Sequence, residues 1–441
     1  MASRDADHIF QRLRGGTVPT RGLDAFAVGI ERQRKELGRK LDEARRGAGD
    51  VKFLRGGYGC GKTFMASLLL QDAQKAQGGK AFATSFVVVS DNDLHFYKFD
   101  ELYRKVVSGL GTPACPQGAL GDILDRWIGS IEEGLIDLGV REEDPAFDQK
   151  VLAKLDEQLG GLPGGSAPPD MVRVVRKVFE LKQQGQLQES AALISWLSGS
   201  SNVAARSKAL AGIKGDISSS DAMAYLRGIL EIIKSAGYAG LVIVIDEAET
   251  ILRMRSNVRQ PSLNALRQIV DAASSYPGLL WAITGTPLFF DDRKGVKGLE
   301  PLYDRIKFEE FNGVASLRQP QLKLTPFDRE RLLQVALRLR SLHPDLAPED
   351  AERRFSGAAL AALVDRVTEG FRGDVGVVPR QFLRTFVNIL DILADNPDQQ
   401  ADTLLGFQLG ELSAEEKAVM AGRAPDSVAD DESFEGATLD V

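Results

Sequence analysis

Four short apolar runs, separated by segments with helical spacing, dominate the pattern of hydrophobic and polar positions along the chain. The runs cover residues 51–54, 81–89, 241–245 and 279–283 and are rich in Val, Ile, Leu and Phe. Continuous apolar runs of this length are typical of strands that are buried on both faces of a parallel sheet. Helical segments between such strands are typical of crossover connections. The pattern therefore predicts an α/β fold with a parallel sheet and helices on both faces.

The spacing of the runs divides the chain into five regions. The segment between the second and third runs is longer than a crossover helix needs, and its apolar positions have helical spacing. We predict that residues 1–110 begin the sheet domain, 111–235 form a long helical insert, 236–327 complete the sheet domain, 328–395 form a C-terminal helical lid and 396–441 form an extension. After Arg423 the chain has six acidic and no basic side chains, which is typical of a disordered tail.

The turn after the first run has the spacing G-x-x-x-x-G-K-[ST], which is that of a P-loop. It consists of Gly56, Gly57, Tyr58, Gly59, Cys60, Gly61, Lys62 and Thr63, and Phe64 follows it in a segment with helical spacing. Glycines let backbone N–H groups turn inward around a phosphate, and the helix directs its positive end at the same anion. Lys62 can reach the β and γ phosphates, and the Thr63 hydroxyl can ligate Mg²⁺. We predict that these nine residues bind nucleotide; the alternative is a glycine-rich turn without a ligand.

The third run ends in two adjacent acids, Asp246 and Glu247. Side chains alternate along a strand, so these two carboxylates can diverge. One can then face Mg²⁺ and the other the attacking water. We predict that Asp246 is the metal-side residue and that Glu247 is the general base. Acids at a strand end are also common as solvated termini, and the P-loop is what favours the functional interpretation.

The fourth run is followed by Thr284-Gly285-Thr286-Pro287. A hydroxyl at the end of this strand can orient the attacking water, and Thr284 is a stronger candidate than Thr286. The alternative is a turn in which both threonines bond to local backbone.

Composition and charge exclude several classes of protein. The 441 residues are 43% apolar and carry a net charge of −7, so the chain can bury a core and is not a polycation that coats nucleic acid. Any contact with DNA requires a local basic patch. The two cysteines, Cys60 and Cys115, do not make a disulfide framework, and no apolar stretch is long enough to span a bilayer. These features favour a cytoplasmic protein without membrane contact.

These motifs together resemble those of AAA+ ATPases, in particular the branch of origin-recognition and archaeal replication-initiator ATPases. Val28, Gly29 and Ile30 resemble the element ahead of the P-loop that encloses adenine, with Ile30 in place of the usual Arg. The resemblance therefore implies that these three residues bind the base of ATP.

The same resemblance implies roles for three residues later in the chain. Thr284 matches the sensor-1 position, and Arg380 matches the sensor-2 position of the lid, which contacts the γ-phosphate. Arg305 in the sequence LYDRIKF matches an arginine finger that acts on the ATP of a neighbouring subunit. The resemblance thus implies a homo-oligomer whose assembly controls hydrolysis.

A closer resemblance, over roughly residues 20–390, is to the BrxD-type ATP-binding proteins of BREX bacteriophage-exclusion systems. It rests on LISWLSG from Leu193, GYAGL from Gly237 and GTP from Gly285. It implies a role in phage defence together with other components such as a methyltransferase, a phosphatase-like protein and a helicase. Initiator ATPases usually carry a winged-helix domain after the lid. The 51 residues that follow Leu390 end in acidic side chains, so we do not expect a complete winged helix there.

The leading interpretation is a Mg²⁺-dependent ATPase whose hydrolysis is coupled to assembly of a DNA-associated complex. One alternative is a slow nucleotide-dependent switch or scaffold that presents its insert to partner proteins. Another is a motor or helicase loader on duplex DNA. Its candidate contacts are Arg253, Arg255, Arg259, Arg293, Lys294 and Lys297. A helicase proper needs a second motor domain, for which the segment after Asp328 is too short and too helical.

Overall fold

The computed structural model describes residues 3–76, 79–90, 94–161, 167–369 and 379–405. The strands are β1 (Asp50–Arg55), β2 (Ala83–Val88), β3 (Leu241–Asp246), β4 (Leu279–Gly285) and β5 (Gln321–Lys323). The α-helices ahead of β3 are α1 (Ser3–Arg14), α2 (Glu31–Arg45), α3 (Lys62–Gln74), α4 (Phe99–Ser108), α5 (Leu120–Asp137), α6 (Phe147–Gly160), α7 (Pro169–Gln183), α8 (Leu187–Leu197), α9 (Ala205–Leu210) and α10 (Ala222–Ser235). The α-helices after β3 are α11 (Ser256–Ala272), α12 (Pro287–Asp291), α13 (Glu300–Ile306), α14 (Arg329–Arg340), α15 (Pro348–Arg354), α16 (Gly357–Glu369), α17 (Pro379–Asp395) and α18 (Ala401–Leu404). Short 3-10 helices cover Leu23–Ala25, Ala248–Arg253, Ala273–Ser275 and Val296–Gly298.

In the described part of the chain, five strands form one parallel sheet in the order β2-β3-β4-β1-β5. Strand β4 lies between β1 and β3, so the strand that enters the P-loop is separated from the acidic strand by one neighbour. The predicted α/β fold with a parallel sheet, a helical insert and C-terminal helices is confirmed. Strand β5 was not predicted, because three residues are too few to give a periodic signal.

Side chains of the sheet alternate between two faces, and helices cover both. On β3, Val242 and Val244 pack with α2 and α3, whereas Ile243 and Ile245 pack with the insert and α11. Burial on both sides explains why the strand sequences are continuously apolar. The alternation also places Asp246, the next residue in the first set, on the side of α3.

A buried lysine ties the edge of the sheet to α2. Lys52 of β1 is 1% exposed, and its Nζ donates to the carbonyls of Leu317 and Gln319 at 2.7 Å each. The same Nζ lies 3.2 Å from Glu36 Oε1 on α2. Burial lowers the pKa of Lys52. These contacts hold the segment before β5 beside β1, which explains how so short a strand is fixed in the sheet.

Helices α4 to α10 form the insert between β2 and β3. Their apolar side chains share one hydrophobic cluster with one face of the sheet. Trp196, from the LISWLSG segment, is 2% exposed, and its Nε1 donates to the carbonyl of Gly215 at 3.0 Å. The insert is therefore packed against the sheet, and this part of the LISWLSG segment forms core.

The C-terminal helices form a second core, and α1 belongs to it. Ile9, Phe10 and Leu13 of α1 are buried in one cluster with apolar residues of α14 to α17. The sequence-based division places residues 1–110 with the sheet domain, whereas α1 packs on the C-terminal helix α17. The physical reason is the single apolar face of α1, which finds its partner more than 300 residues away in sequence.

A half-buried acid joins α1 to α17. Arg14 donates from Nε and Nη2 to the two oxygens of Asp391 at 2.6 and 2.7 Å. His343, 1% exposed, places its Nε2 3.0 Å from Asp391 Oδ1. Burial raises the pKa of Asp391, but hydrogen bonds from Arg14 and His343 outweigh burial, so this pKa lies below its ordinary value.

Most of the predicted C-terminal extension, including the acidic tail after Arg423, lies outside the described residues. Within the described ranges, none of the helices combines the length and the apolar character that crossing a membrane requires.

We expect Asp391→Asn to lower the free energy of unfolding by about 1 kcal/mol at pH 7, because Arg14 loses a charged bidentate partner. Urea denaturation measures the change. The matched control is Asp365→Asn, which removes the more exposed bidentate pair with Arg329. It is expected to cost less than Asp391→Asn, because water screens an exposed pair.

The pH dependence of this prediction follows from the lowered pKa. A carboxyl whose folded pKa is depressed contributes stability above its unfolded pKa of about 3.9 and loses it as the pH falls through the folded pKa. The wild-type and Asp391→Asn stabilities should therefore converge in acid. Equal effects of the two variants at pH 7 would contradict the assignment.

Candidate nucleotide-binding site

The P-loop turns sharply between β1 and α3. Gly59 and Gly61 have φ values of 73° and 78°, a left-handed conformation that other residues rarely adopt. Helix α3 begins at Lys62, so the N–H groups of its first turn are directed at the hollow of the loop. The predicted strand–loop–helix arrangement is present.

The Lys62 side chain folds back over the loop. Its Nζ donates to the carbonyls of Gly56 and Gly57 at 3.1 and 3.2 Å and lies 3.4 Å from Glu249 Oε1. The side chain is 10% exposed. A cation is thus fixed where the loop would hold phosphates.

Two threonine hydroxyls hold Asp246 at the end of β3. Thr63 Oγ1 donates to Asp246 Oδ2 at 2.8 Å, and Thr284 Oγ1 donates to Asp246 Oδ1 at 2.6 Å. Asp246 is 3% exposed and Thr284 is fully buried. Because β4 lies between β1 and β3, the ends of these strands bring the three residues together on the side of α3.

Glu247 has a left-handed backbone and lines the same cavity as Asp246. Its φ and ψ are 61° and 40°, and among the described residues only Asn312 is another non-glycine with positive φ. This conformation costs a non-glycine residue about 1 kcal/mol. The Glu247 N–H donates to Thr284 Oγ1 at 3.0 Å, which helps to hold the turn, and the Glu247 side chain is exposed. Strain of this kind is concentrated at functional sites.

Thr284 lies at the end of β4, as predicted, and its hydroxyl bonds within the protein. Its hydroxyl is buried and bonds to Asp246 and to the N–H of Glu247, so its single proton is already donated within the protein. The geometry suits a residue that positions the two acids. Thr286 caps α12 by accepting a hydrogen bond from the Phe289 N–H at 3.4 Å, as the local-turn alternative predicts.

An apolar wall extends the cavity away from the P-loop. The cavity is lined at the loop by Tyr58, Gly59, Cys60, Gly61, Lys62 and Thr63, and at the wall by Val18, Pro19, Phe26, Val28, Ile30, Phe64, Phe327 and Leu383. The rings of Phe26 and Phe64 lie 5.3 Å apart. The predicted Val28, Ile30 and Phe64 thus line one surface, which has room for a flat apolar ring system.

Gly29 passes close to the lid. Its φ is 68°, and a Cβ at this position would lie 2.7 Å from Nε of Arg331 on α14. Arg338 of the same helix donates to the carbonyl of Ala27 at 2.6 Å. The segment 28–30 is therefore held between the sheet domain and the lid.

The two predicted arginines lie in different places. Arg380, near the start of α17, is exposed and lines the same cavity as Lys62. Arg305 on α13 forms an ion pair with Asp271 of α11 and donates to the carbonyl of Pro301. The cavity wall, as far as the described residues define it, includes Arg380 and not Arg305.

Some cavity residues were not predicted as site residues. Phe26, Gln33, Phe327 and Glu249 line the cavity. Glu249 lies two positions after Glu247 in the sequence, but whether its side chain faces the cavity depends on the 3-10 helix Ala248–Arg253. Whether Phe327 lines the cavity depends on where the lid packs, which local sequence patterns do not predict.

Two basic segments beyond the site meet in the structure. The loop with Arg293, Lys294 and Lys297 packs against the 3-10 helix after β3, since a Cβ on Gly295 would lie 3.2 Å from Leu252 Cδ2. Arg255 and the three basic residues of the loop are exposed. The fold thus brings into contact two segments that carry basic residues and are about 40 residues apart in sequence.

The residues present fit a nucleotide with Mg²⁺. The glycine loop, the start of α3 and Lys62 suit phosphates, and the hydroxyl–carboxylate pair of Thr63 and Asp246 suits Mg²⁺, which takes few protein ligands when phosphates supply others. In the described ranges no group of three His, Cys, Asp or Glu side chains is placed to hold a metal ion alone. The site is therefore one in which substrate would complete the metal shell.

The chain resembles a protein family in sequence and solved structures in fold. One such structure, of the Aeropyrum pernix ORC2 protein and described as ADPNP–ADP complexes, matches with 11% identity and a TM-score of 0.41, covering 90% of this chain and 75% of that chain. No curated protein matches the chain. The model of the family described as "BREX system ATP-binding protein BrxC/D" matches residues 1–408. The chain therefore belongs to the BrxC/D family of BREX system ATP-binding proteins.

Proposed function

We propose that the chain binds ATP with Mg²⁺ and hydrolyses it. The observation that carries the proposal is that the hydroxyls of Thr63 and Thr284 donate hydrogen bonds to Asp246. These residues lie with Lys62 at one end of a cavity whose other end is apolar. Membership of an ATP-binding family supports the same nucleotide. In this proposal the adenine lies along Val28, Ile30 and Phe64, and the phosphates lie in the P-loop under Lys62.

Each residue at the phosphate end has a distinct role in the proposed hydrolysis. Thr63 and Asp246 would hold Mg²⁺, which would supply positive charge that offsets the charge of the triphosphate. Glu247 accepts a proton from the water that attacks the γ-phosphate. Thr284 fixes both acids through its hydroxyl. Arg380 contributes positive charge to the γ-phosphate from the lid.

We also propose that the active form is a homo-oligomer and that Arg305 acts on the ATP of a neighbour. Arg305 is 42% exposed on the short helix α13 and can be reached by a second subunit. Its pairing with Asp271 within the chain means that Arg305 must leave this partner before it can act on a neighbour's ATP. The same pairing favours the alternative function, a slow nucleotide-dependent switch, if turnover does not rise on assembly.

The family supports a role in phage defence, and we propose that hydrolysis is coupled there to assembly with other proteins of the system on duplex DNA. The basic surface formed by Arg255, Arg293, Lys294 and Lys297 is the proposed contact with DNA phosphates. The loop that contains Lys294 packs on the 3-10 helix Ala248–Arg253, which begins two residues after Asp246. DNA and nucleotide would therefore bind close together.

We expect Lys62→Ala to abolish binding of a fluorescent ATP analogue, because the phosphates lose their main cationic contact. The control is Lys80→Ala, at an exposed position.

Glu247→Gln should keep the wild-type affinity for the same analogue while turnover falls by at least about 100-fold, since only the base is lost. Retained hydrolysis by Glu247→Gln would refute the assignment of the base.

Arg305→Ala is expected to bind nucleotide normally and to lose turnover by roughly 10³-fold, the usual effect of removing an arginine finger. Mixing it with Glu247→Gln should restore part of the activity, because the second variant supplies Arg305 to intact sites of the first. Arg267→Ala is the matched control, since Arg267 pairs with the same Asp271 at 3.0 Å. A mixture with no recovered activity, at concentrations where mass photometry detects oligomers, would exclude action in trans.

If the basic surface contacts DNA, affinity should fall steeply with salt, and Lys294→Ala/Lys297→Ala should reduce the slope of log K against log salt by about 2. Fluorescence anisotropy with labelled duplex measures both quantities. The control is Lys150→Ala/Lys154→Ala on α6 of the insert. An unchanged slope in the first double variant would place the DNA contact elsewhere.

A further inference from the structure

All three protons of the Lys62 ammonium have an acceptor within reach. Two acceptors are backbone carbonyls of the P-loop, Gly56 at 3.1 Å and Gly57 at 3.2 Å, and the third group is Glu249, whose Oε1 lies at 3.4 Å. Of these three, only Glu249 carries a charge. A phosphate that binds Lys62 must therefore take the place of at least one of these acceptors.

Glu249 is held in the cavity with half of its carboxylate unbonded. The side chain is 19% exposed and lines the same cavity as Lys62 and Asp246. Its Oε2 is buried and has no hydrogen-bond partner among the described residues. Leaving a buried carboxylate oxygen without a donor is costly, so Glu249 stays at this place chiefly through its ion pair with Lys62.

Glu249 is a partly exposed side chain on a buried piece of backbone. It lies on the 3-10 helix Ala248–Arg253, which directly follows the left-handed Glu247. Ala248 and Ile251 of this helix are buried, whereas the Glu249 side chain is 19% exposed. The carboxylate can therefore leave Lys62 by a change of its side-chain conformation, without a change in the sheet.

We propose that Glu249 is a displaceable counter-ion of Lys62 that competes with nucleotide phosphates for the same ammonium. It is a positioning residue, since it acts on the nucleotide through Lys62. The proposal deepens the proposed function and rests on it. A carboxylate beside phosphates is repelled by them, so nucleotide binding turns Glu249 out of the cavity and the wild-type affinity is lower than the loop alone would give.

The test compares ligands with and without phosphates. Glu249→Gln keeps the side-chain volume and removes the charge, and it should tighten binding of ADP and of ATP by roughly tenfold. Adenosine, which has no phosphate to place near Lys62, should bind with unchanged affinity. Isothermal titration measures all three ligands. The matched control is Glu300→Gln, which makes the same change in net charge at an exposed position on α13.

The possible results separate this proposal from the proposed function. Tighter binding of ADP with unchanged binding of adenosine supports it, as does ADP binding that appears only in Glu249→Gln. Wild-type protein that binds ADP while Glu249→Gln binds it no more tightly would overturn the role of Glu249 alone. An equal change for adenosine and ADP would also overturn it, since that indicates a general structural effect. Failure of both proteins to bind ADP would overturn this role and the nucleotide function together.

A second measurement does not depend on the folding of a variant. A crystal structure of the wild-type protein with ADP should place Glu249 beyond contact distance from Lys62 Nζ. A carboxylate that remains within about 4 Å of Nζ with the phosphates bound would overturn the proposal.

Discussion

The buried carboxylate of Asp246 depends on two hydroxyls that are distant in sequence, Thr63 and Thr284. A carboxylate with 3% exposure is costly unless donors satisfy its oxygens, and each of its oxygens accepts one hydroxyl proton. The sheet order makes this possible, because β4 lies between β1 and β3 and the three strands end at one edge. Asp246 thus connects the P-loop to the acidic strand and to the strand that carries Thr284. The proposed roles of Glu247 and Lys62 depend on this arrangement.

The apolar end of the cavity links the sheet domain to the lid. Its wall includes Phe64 from α3, Val28 from the segment before α2, and Leu383 from α17. Helix α1 and the lid share one core, and Asp391 ties them through Arg14. A base that lies along this wall would contact both domains at once, so its binding would favour one arrangement of lid and sheet domain.

The 3-10 helix that carries Glu249, at the phosphate end of the cavity, also carries Leu252, which packs against the loop that contains Lys294. The proposed nucleotide and DNA contacts are therefore neighbours in one short segment.

Local sequence was sufficient for the elements and for the residues of the P-loop and of the acidic strand end. The four apolar runs correspond, within about two residues, to four of the five strands in the described part of the chain, because burial on both faces leaves a continuous signal. Contacts between distant segments could not be predicted. The place of α1 in the lid core depends on a partner helix at the other end of the chain, and β5 is fixed by the carbonyls bonded to Lys52 more than by its own sequence. The place of Thr284 at a strand end could be predicted from the sequence. The acceptor of its hydroxyl proton, Asp246, could not, because it depends on which strand lies next to β4.

The most direct test of the central claim is a crystal structure with Mg²⁺ and a non-hydrolysable ATP analogue. The account predicts a metal ion between Thr63 Oγ1 and Asp246, with their direct hydrogen bond opened and the Asp246–Thr284 contact kept. It also predicts triphosphate oxygens beside Lys62 Nζ. Triphosphate density away from the P-loop, or a bound analogue with Thr63 still bonded directly to Asp246 and no ion between them, would contradict it.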